Sequence, residues 1–227
     1  MRRLEPQVDT SPLPPRALTD AEREQSNELY GRAKEAFFDR RLRDAAAIYQ
    51  ELLLLDPHHL KGRNNLGCIL DSLGDHRLAL QEFKTALEIS PSNWEVLQNM
   101  GSTLGHMGRF EEAIEVLKQA HDIEPENAEV VYNLGMAEFQ KGIYKRSVEY
   151  FRRALSLTPD REMIYLHLGQ AYNHLGNTEL AIDAFERVIK AYPDYPRAYS
   201  LLGVLYRSQG KVADSRRMFD RARALGG

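Results

Sequence analysis

Residues 60–91 read LKGRNNLGCILDSLGDHRLALQEFKTALEISP, and the whole chain follows from their pattern. Ala79, Phe83, Ala86 and Leu87 fall at helical spacing, so the second half of this stretch carries one apolar stripe. Gly74 stands between the two halves, where a glycine takes the left-handed conformation that ends a helix without a Cβ clash. Pro91 closes the stretch, because proline lacks a backbone donor and pushes the residue before it out of the helical region. The result is two helices and two breaks. A hairpin of this size cannot bury its apolar stripes alone, so it needs neighbours.

The neighbours are written in the same chain. A proline recurs every 34 residues at Pro57, Pro91, Pro125, Pro159 and Pro193. Another column reads Ala33, Gly67, Gly101, Gly135, Gly169 and Gly203, and a third reads Tyr49, Phe83, Leu117, Phe151, Phe185 and Phe219. Ala45, Ala79, Ala113, Ser147, Ala181 and Ser215 keep a further column small. Small residues let two helix backbones approach closely, and the large ring fills the volume beside them.

Leu66-Gly67, Ala79, Phe83 and Pro91, with their counterparts in the other rows, resemble the tetratricopeptide repeat family. The resemblance covers about residues 20–227 as six tandem repeats, near 26–59, 60–93, 94–127, 128–161, 162–195 and 196–227. It implies an all-α, right-handed superhelical solenoid of helix–turn–helix units, with a groove lined by the first helix of each repeat. The first row departs from the pattern: Arg40 stands where the other rows have glycine, and Arg32-Ala33 replaces Leu-Gly. Residues 1–18, with Pro6, Pro12, Pro14 and Pro15, read as a flexible N-terminal arm ahead of a single domain over 19–227. Thr19 followed by Glu22 is a capping-box signature and predicts that the first helix starts there.

Composition narrows the function without naming it. A net charge of −3 gives no argument for nucleic acid. Charge is uneven, however: residues 92–125 hold two basic and six acidic side chains, while 194–227 hold seven basic and three acidic. Cys68 is the lone cysteine, so no internal disulfide forms, and the chain fits a reducing compartment. Met1-Arg2-Arg3 is followed by no apolar run of signal-peptide length, and Leu52–Leu55 is too short to span a bilayer. The expectation is a cytoplasmic protein. Leu80, Ile114, Val148 and Ile182 share a column with Arg216; Leu87, His121, Leu155 and Ile189 share one with Arg223. The last repeat therefore reads as a polar cap.

Asn65, Asn99 and Asn133 stand two residues before the glycine of three consecutive repeats. An asparagine amide both donates and accepts, so a column of them can pair with the backbone of an extended peptide. The column resembles the asparagine ladder of the O-linked N-acetylglucosamine transferase repeats, and it lapses at Gly31, His167 and Leu201. No transferase domain accompanies it. Lys61, Glu95 and Glu129 form a flanking column, and Tyr132 and Phe139 offer aromatic contact. The carboxylate-clamp slots known in this family fall on Tyr30, Lys34, Asn65, Glu95 and Asn99, where Glu95 would repel a carboxylate.

No catalytic constellation stands outside the repeat logic. Gly101 to Gly105 lacks the Gly-Lys-Ser/Thr of a phosphate loop. His167 and His174, seven residues apart on one helix, lie roughly 10 Å apart along the axis, too far to share an ion. No metal and no cofactor is expected. The reading is a non-enzymatic adaptor that holds an extended or helical segment of another protein, without nucleic acid, membrane insertion or a small-molecule substrate. Two alternatives remain: a scaffold assembled head-to-tail through the basic last repeat, and a non-catalytic regulatory subunit of an enzyme.

Overall fold

The computed structural model describes residues 17–226, so the proline-rich stretch with Pro6, Pro12, Pro14 and Pro15 lies outside the described residues. Twelve helices follow one another, and no strand occurs among the described residues. They are α1 Asp20–Phe38, α2 Leu42–Leu55, α3 Leu60–Ser72, α4 His76–Ile89, α5 Trp94–His106 and α6 Phe110–Ile123. Then come α7 Ala128–Gln140, α8 Tyr144–Leu157, α9 Met163–His174, α10 Thr178–Ala191, α11 Pro196–Ser208 and α12 Val212–Gly226. Each odd helix packs most closely on the even helix after it, and each even helix then packs on the next odd one. The molecule is an all-α solenoid of helix–turn–helix units.

Local chemistry sets the boundaries. Thr19 and Glu22 form the capping box the sequence predicts, and α1, at 19 residues, is longer than the other helices. Asn93 and Asn127 cap α5 and α7 through their side-chain oxygens, and His59 Nδ1 caps α3 by accepting from Gly62 N–H at 2.9 Å. Inside each hairpin a left-handed residue makes the turn. Gly74 has φ 88°, and Asp75 N–H reaches back to Leu70 C=O at 2.9 Å, the six-to-one bond of a Schellman motif. Arg40 holds the same position in the first hairpin with φ 62°, and its Cβ there costs about 1–2 kcal/mol.

Packing repeats along one seam. A Cβ added to Gly67 would lie 2.5 Å from the Phe83 ring, and one at Gly101 the same distance from Leu117. Gly135 meets Phe151 and Gly169 meets Phe185 in the same way. These rings, with Tyr49 in the first hairpin, are among the largest fully buried side chains. Leu80 and Ile114 are buried against the following hairpin, whereas Arg216 and Arg223 in the corresponding columns of α12 are exposed. Neighbouring odd helices also touch directly, as α3 with α5, α5 with α7 and α7 with α9. That closer approach gathers the odd helices on one side of the stack, and the asparagine column lies on these helices.

Candidate functional site

The asparagines lie on odd helices, but two of them are already occupied. Asn65 donates from Nδ2 to Tyr49 Oη at 2.9 Å and to Tyr30 Oη at 3.4 Å. Asn99 donates from Nδ2 to Asn64 Oδ1 at 3.0 Å. In the same column, one repeat past Asn133, His167 Nδ1 meets Tyr132 Oη at 3.2 Å. The bonds to Tyr30, Asn64 and Tyr132 all join residues 35 apart, from one hairpin to the next. The column is a set of rungs stitching adjacent odd helices. One rung is missing. By the same offset Asn133 should meet Gln98, yet Asn133 makes no side-chain hydrogen bond to any described residue.

Asn133 lines a cavity of about 550 Å³ between the third and fourth hairpins. Gly101, Ser102, Gly105, His106, Phe110, Tyr132, Met136 and Gln140 are among its other walls. The cavity has a simple cause. Where the helix α3 has Asp71 and α7 has Phe139, α5 has Gly105, and a Cβ built there would touch nothing within 4 Å. Asp71 and Phe139 both fill their junctions. Phe139 packs edge-on against Tyr144 and His174, which are themselves stacked at 4.2 Å. Asp71 binds His76 and His106. The three sets, Asp71–His76–His106, Gly105–Phe110–Gln140 and Phe139–Tyr144–His174, occupy identical register in successive junctions.

The other expected contacts divide. Glu95, Asn99 and Glu129 line one shallow hollow of about 330 Å³ with Trp94 and Gln98. Glu129 is ion-paired with Arg161, whose guanidinium sits 5.3 Å from the centre of the Tyr132 ring. Tyr132 and Asn133 come together at the larger cavity, and Phe139 belongs to the next junction. Asn65 lines a separate hollow with Lys34, Phe37 and Cys68, and Lys61 is exposed apart from all of these. Phe110, Met136 and Gln140 were missed from sequence. Their signal was present in the row-by-row register, as a glycine in a column otherwise filled by side chains.

Burial tunes two groups beside these hollows. It pushes the Cys68 thiol up to about 11, which keeps it protonated. It lowers the His167 imidazole to about 4, helped by the nearby Arg197 charge, so the rung to Tyr132 is made by a neutral ring. Metal-ligating residues also meet: Asp71, His76 and His106 place one ligand atom each within 4.8 Å of one another. Spacing within one helix could not show this, because the three come from α3, α4 and α5. In α12, Arg216, Arg217 and Arg223 pair with Asp214 and Asp220, and Arg221 pairs with Asp194. Among the described residues no helix is long and apolar enough to cross a membrane.

The tetratricopeptide repeat profile matches residues 30–93, 99–162 and 166–227. The chain is similar to MamA, at 29% identity over 70% of this chain and 94% of that one, with a TM-score of 0.65. It shares its fold with Pseudomonas aeruginosa pilF, at 21% identity, 89% and 90% coverage and a TM-score of 0.75. The same holds for YrrB, described as a TPR protein with an unusual peptide-binding site, at 20% identity, 78% and 92% coverage and a TM-score of 0.64. Comparison with curated proteins finds no match. The repeat column, the glycine–ring seam and the profile agree: the chain belongs to the tetratricopeptide repeat family.

Proposed function

We propose that the chain is a protein-interaction adaptor that holds an extended segment of a partner across its odd helices, centred on the notch between the third and fourth hairpins. The carrying observation is Asn133, the column member without a rung, beside the space left by Gly105. Its amide offers two donors and an acceptor, the complement of a peptide main chain. Phe110 and Met136 supply apolar wall on either side, and a methionine adapts to varied side chains. Asn99, Glu95 and Glu129 extend the track toward the second hairpin. Fold alone does not give a partner, and YrrB shows only that this architecture accommodates a peptide site. Tetratricopeptide repeat proteins are generally non-catalytic interaction modules, which supports a binding role, whether the partner is a free protein or an enzyme it regulates.

The head-to-tail scaffold has less electrostatic support. Arg216, Arg217 and Arg223 are already paired within α12 and Arg221 with Asp194, which leaves Arg197, Arg207 and Lys211 without ion pairs among the described residues. Peptides selected from a displayed random library on the wild-type protein test the groove reading. Asn133→Ala is expected to weaken the selected peptides by about ten-fold, the loss of one or two hydrogen bonds. Equal binding by Asn133→Ala would remove the notch from the account.

A further inference from the structure

The junction between the second and third hairpins has a chemistry that the others lack. Asp71 lies in the last turn of α3, His76 opens α4, and His106 ends α5. One carboxylate oxygen of Asp71 is 2.7 Å from His76 Nδ1, and the other is 2.9 Å from His106 Nδ1. An ionised carboxylate only accepts, so in this arrangement both rings carry their proton at Nδ1. The Asp71 side chain is 15% exposed, and no lysine or arginine pairs with it among the described residues. Its hydrogen bonds to other side chains go to the two imidazoles, and its charge also helps hold the Cys68 thiol protonated.

We infer that Asp71, His76 and His106 form a site for a late first-row divalent metal ion, Zn²⁺ foremost, that clamps the second hairpin to the third. Two imidazoles and a carboxylate are the donor set such ions prefer. The three ligand atoms already lie within 4.8 Å of one another. Ligands held at 2.0–2.1 Å in a tetrahedral shell stand about 3.3 Å apart, so the two hydrogen bonds open slightly while the histidine nitrogens close. His106 is the ligand free to move, since it is 55% exposed and ends its helix. The ion takes the place of the two Nδ1 protons, and neutral rings are re-protonated at Nε2, so they release no net proton. The fourth position stays open to water or to a partner's donor.

The register argument separates this site from a coincidence of surface histidines. The same three columns hold Phe139, Tyr144 and His174 in another junction, where no metal can bind. That junction supplies the control. Isothermal titration of the metal-stripped full chain with ZnCl₂, and visible absorption with CoCl₂, are the probes. The wild type is expected to take up one ion per chain and to melt at higher temperature with Zn²⁺ present. His106→Gln and Asp71→Asn are each expected to weaken uptake more than about ten-fold, while His174→Gln leaves it unchanged. His106→Gln changes an exposed side chain, so its metal-free melting should match the wild type and make it the deciding variant if Asp71→Asn fails to fold. No uptake by the wild type overturns the inference. So does uptake that His106→Gln leaves intact, which would place the ion on other histidines, or show the carboxylate and its two rings to be a hydrogen-bonded clasp only.

Discussion

Each odd helix has two sides that follow opposite rules. On the seam facing its even partner, Gly67 meets Phe83, Gly135 meets Phe151 and Gly169 meets Phe185, with the same close approach each time. On the side where neighbouring odd helices meet, one register holds Asp71–His76–His106, then Gly105–Phe110–Gln140, then Phe139–Tyr144–His174. The seam is uniform because every unit must solve one packing problem. The junctions differ because the fold does not need them alike, and a polar clasp, an empty notch and an aromatic stack all leave the helices in place. What recurs builds the solenoid; what changes from unit to unit is available for recognition.

Glycines on the two sides break this comparison most sharply. Gly67→Ala drives a Cβ to 2.5 Å from the Phe83 ring, which is 0% exposed and has nowhere to go. The expected loss is about 3 kcal/mol in urea unfolding. Gly105→Ala meets nothing within 4 Å and sits inside α5, so the same measurement should show a gain of about 0.5–1 kcal/mol. Similar losses at both positions would mean that the notch is packed after all.

The rungs can be sharpened by pH. His167 is lowered from its ordinary value of 6.5 to about 4, so the unfolded chain binds its proton first as pH falls. The contribution of the neutral ring is therefore complete above pH 6.5, is lost between pH 6.5 and about 4, and falls no further below that. The loss amounts to about 3 kcal/mol at most. Unfolding of wild type and His167→Gln at intervals across this window gives the difference, and parallel curves would show that His167 does not hold this rung as a neutral ring.

The asparagine column itself divides into occupied and free members. Asn65→Ala leaves the Tyr49 hydroxyl, on a residue 1% exposed, without its 2.9 Å donor, at an expected cost of about 1–2 kcal/mol. Asn133→Ala breaks no hydrogen bond to a described residue and should change stability by less than about 0.5 kcal/mol. Thermal melts of the two variants side by side distinguish them. Equal costs would mean that the column plays one role throughout.

The fold was legible because a 34-residue period compares like with like: Gly67 and Gly135 share an environment, so their identity reports it. The candidate site was legible only in outline, for the same reason. Asn65, Asn99 and Asn133 read as one ladder in a column, yet their roles are set by the residue 35 positions earlier, in the adjacent column of the preceding unit. Tyr30 and Asn64 satisfy the first two, and Gln98 does not satisfy the third. The metal-ligating group was hidden similarly. Asp71 and His76 are near in sequence, but His106 joins them only because one unit stacks on the next.

Gly105→Phe tests the central claim most directly. It gives the third junction the residue that Phe139 supplies in the fourth, at a position where an added Cβ meets nothing within 4 Å. The account predicts a folded protein that melts no lower than wild type and has lost the peptides selected on the wild type. A folded Gly105→Phe protein that binds those peptides undiminished would contradict it.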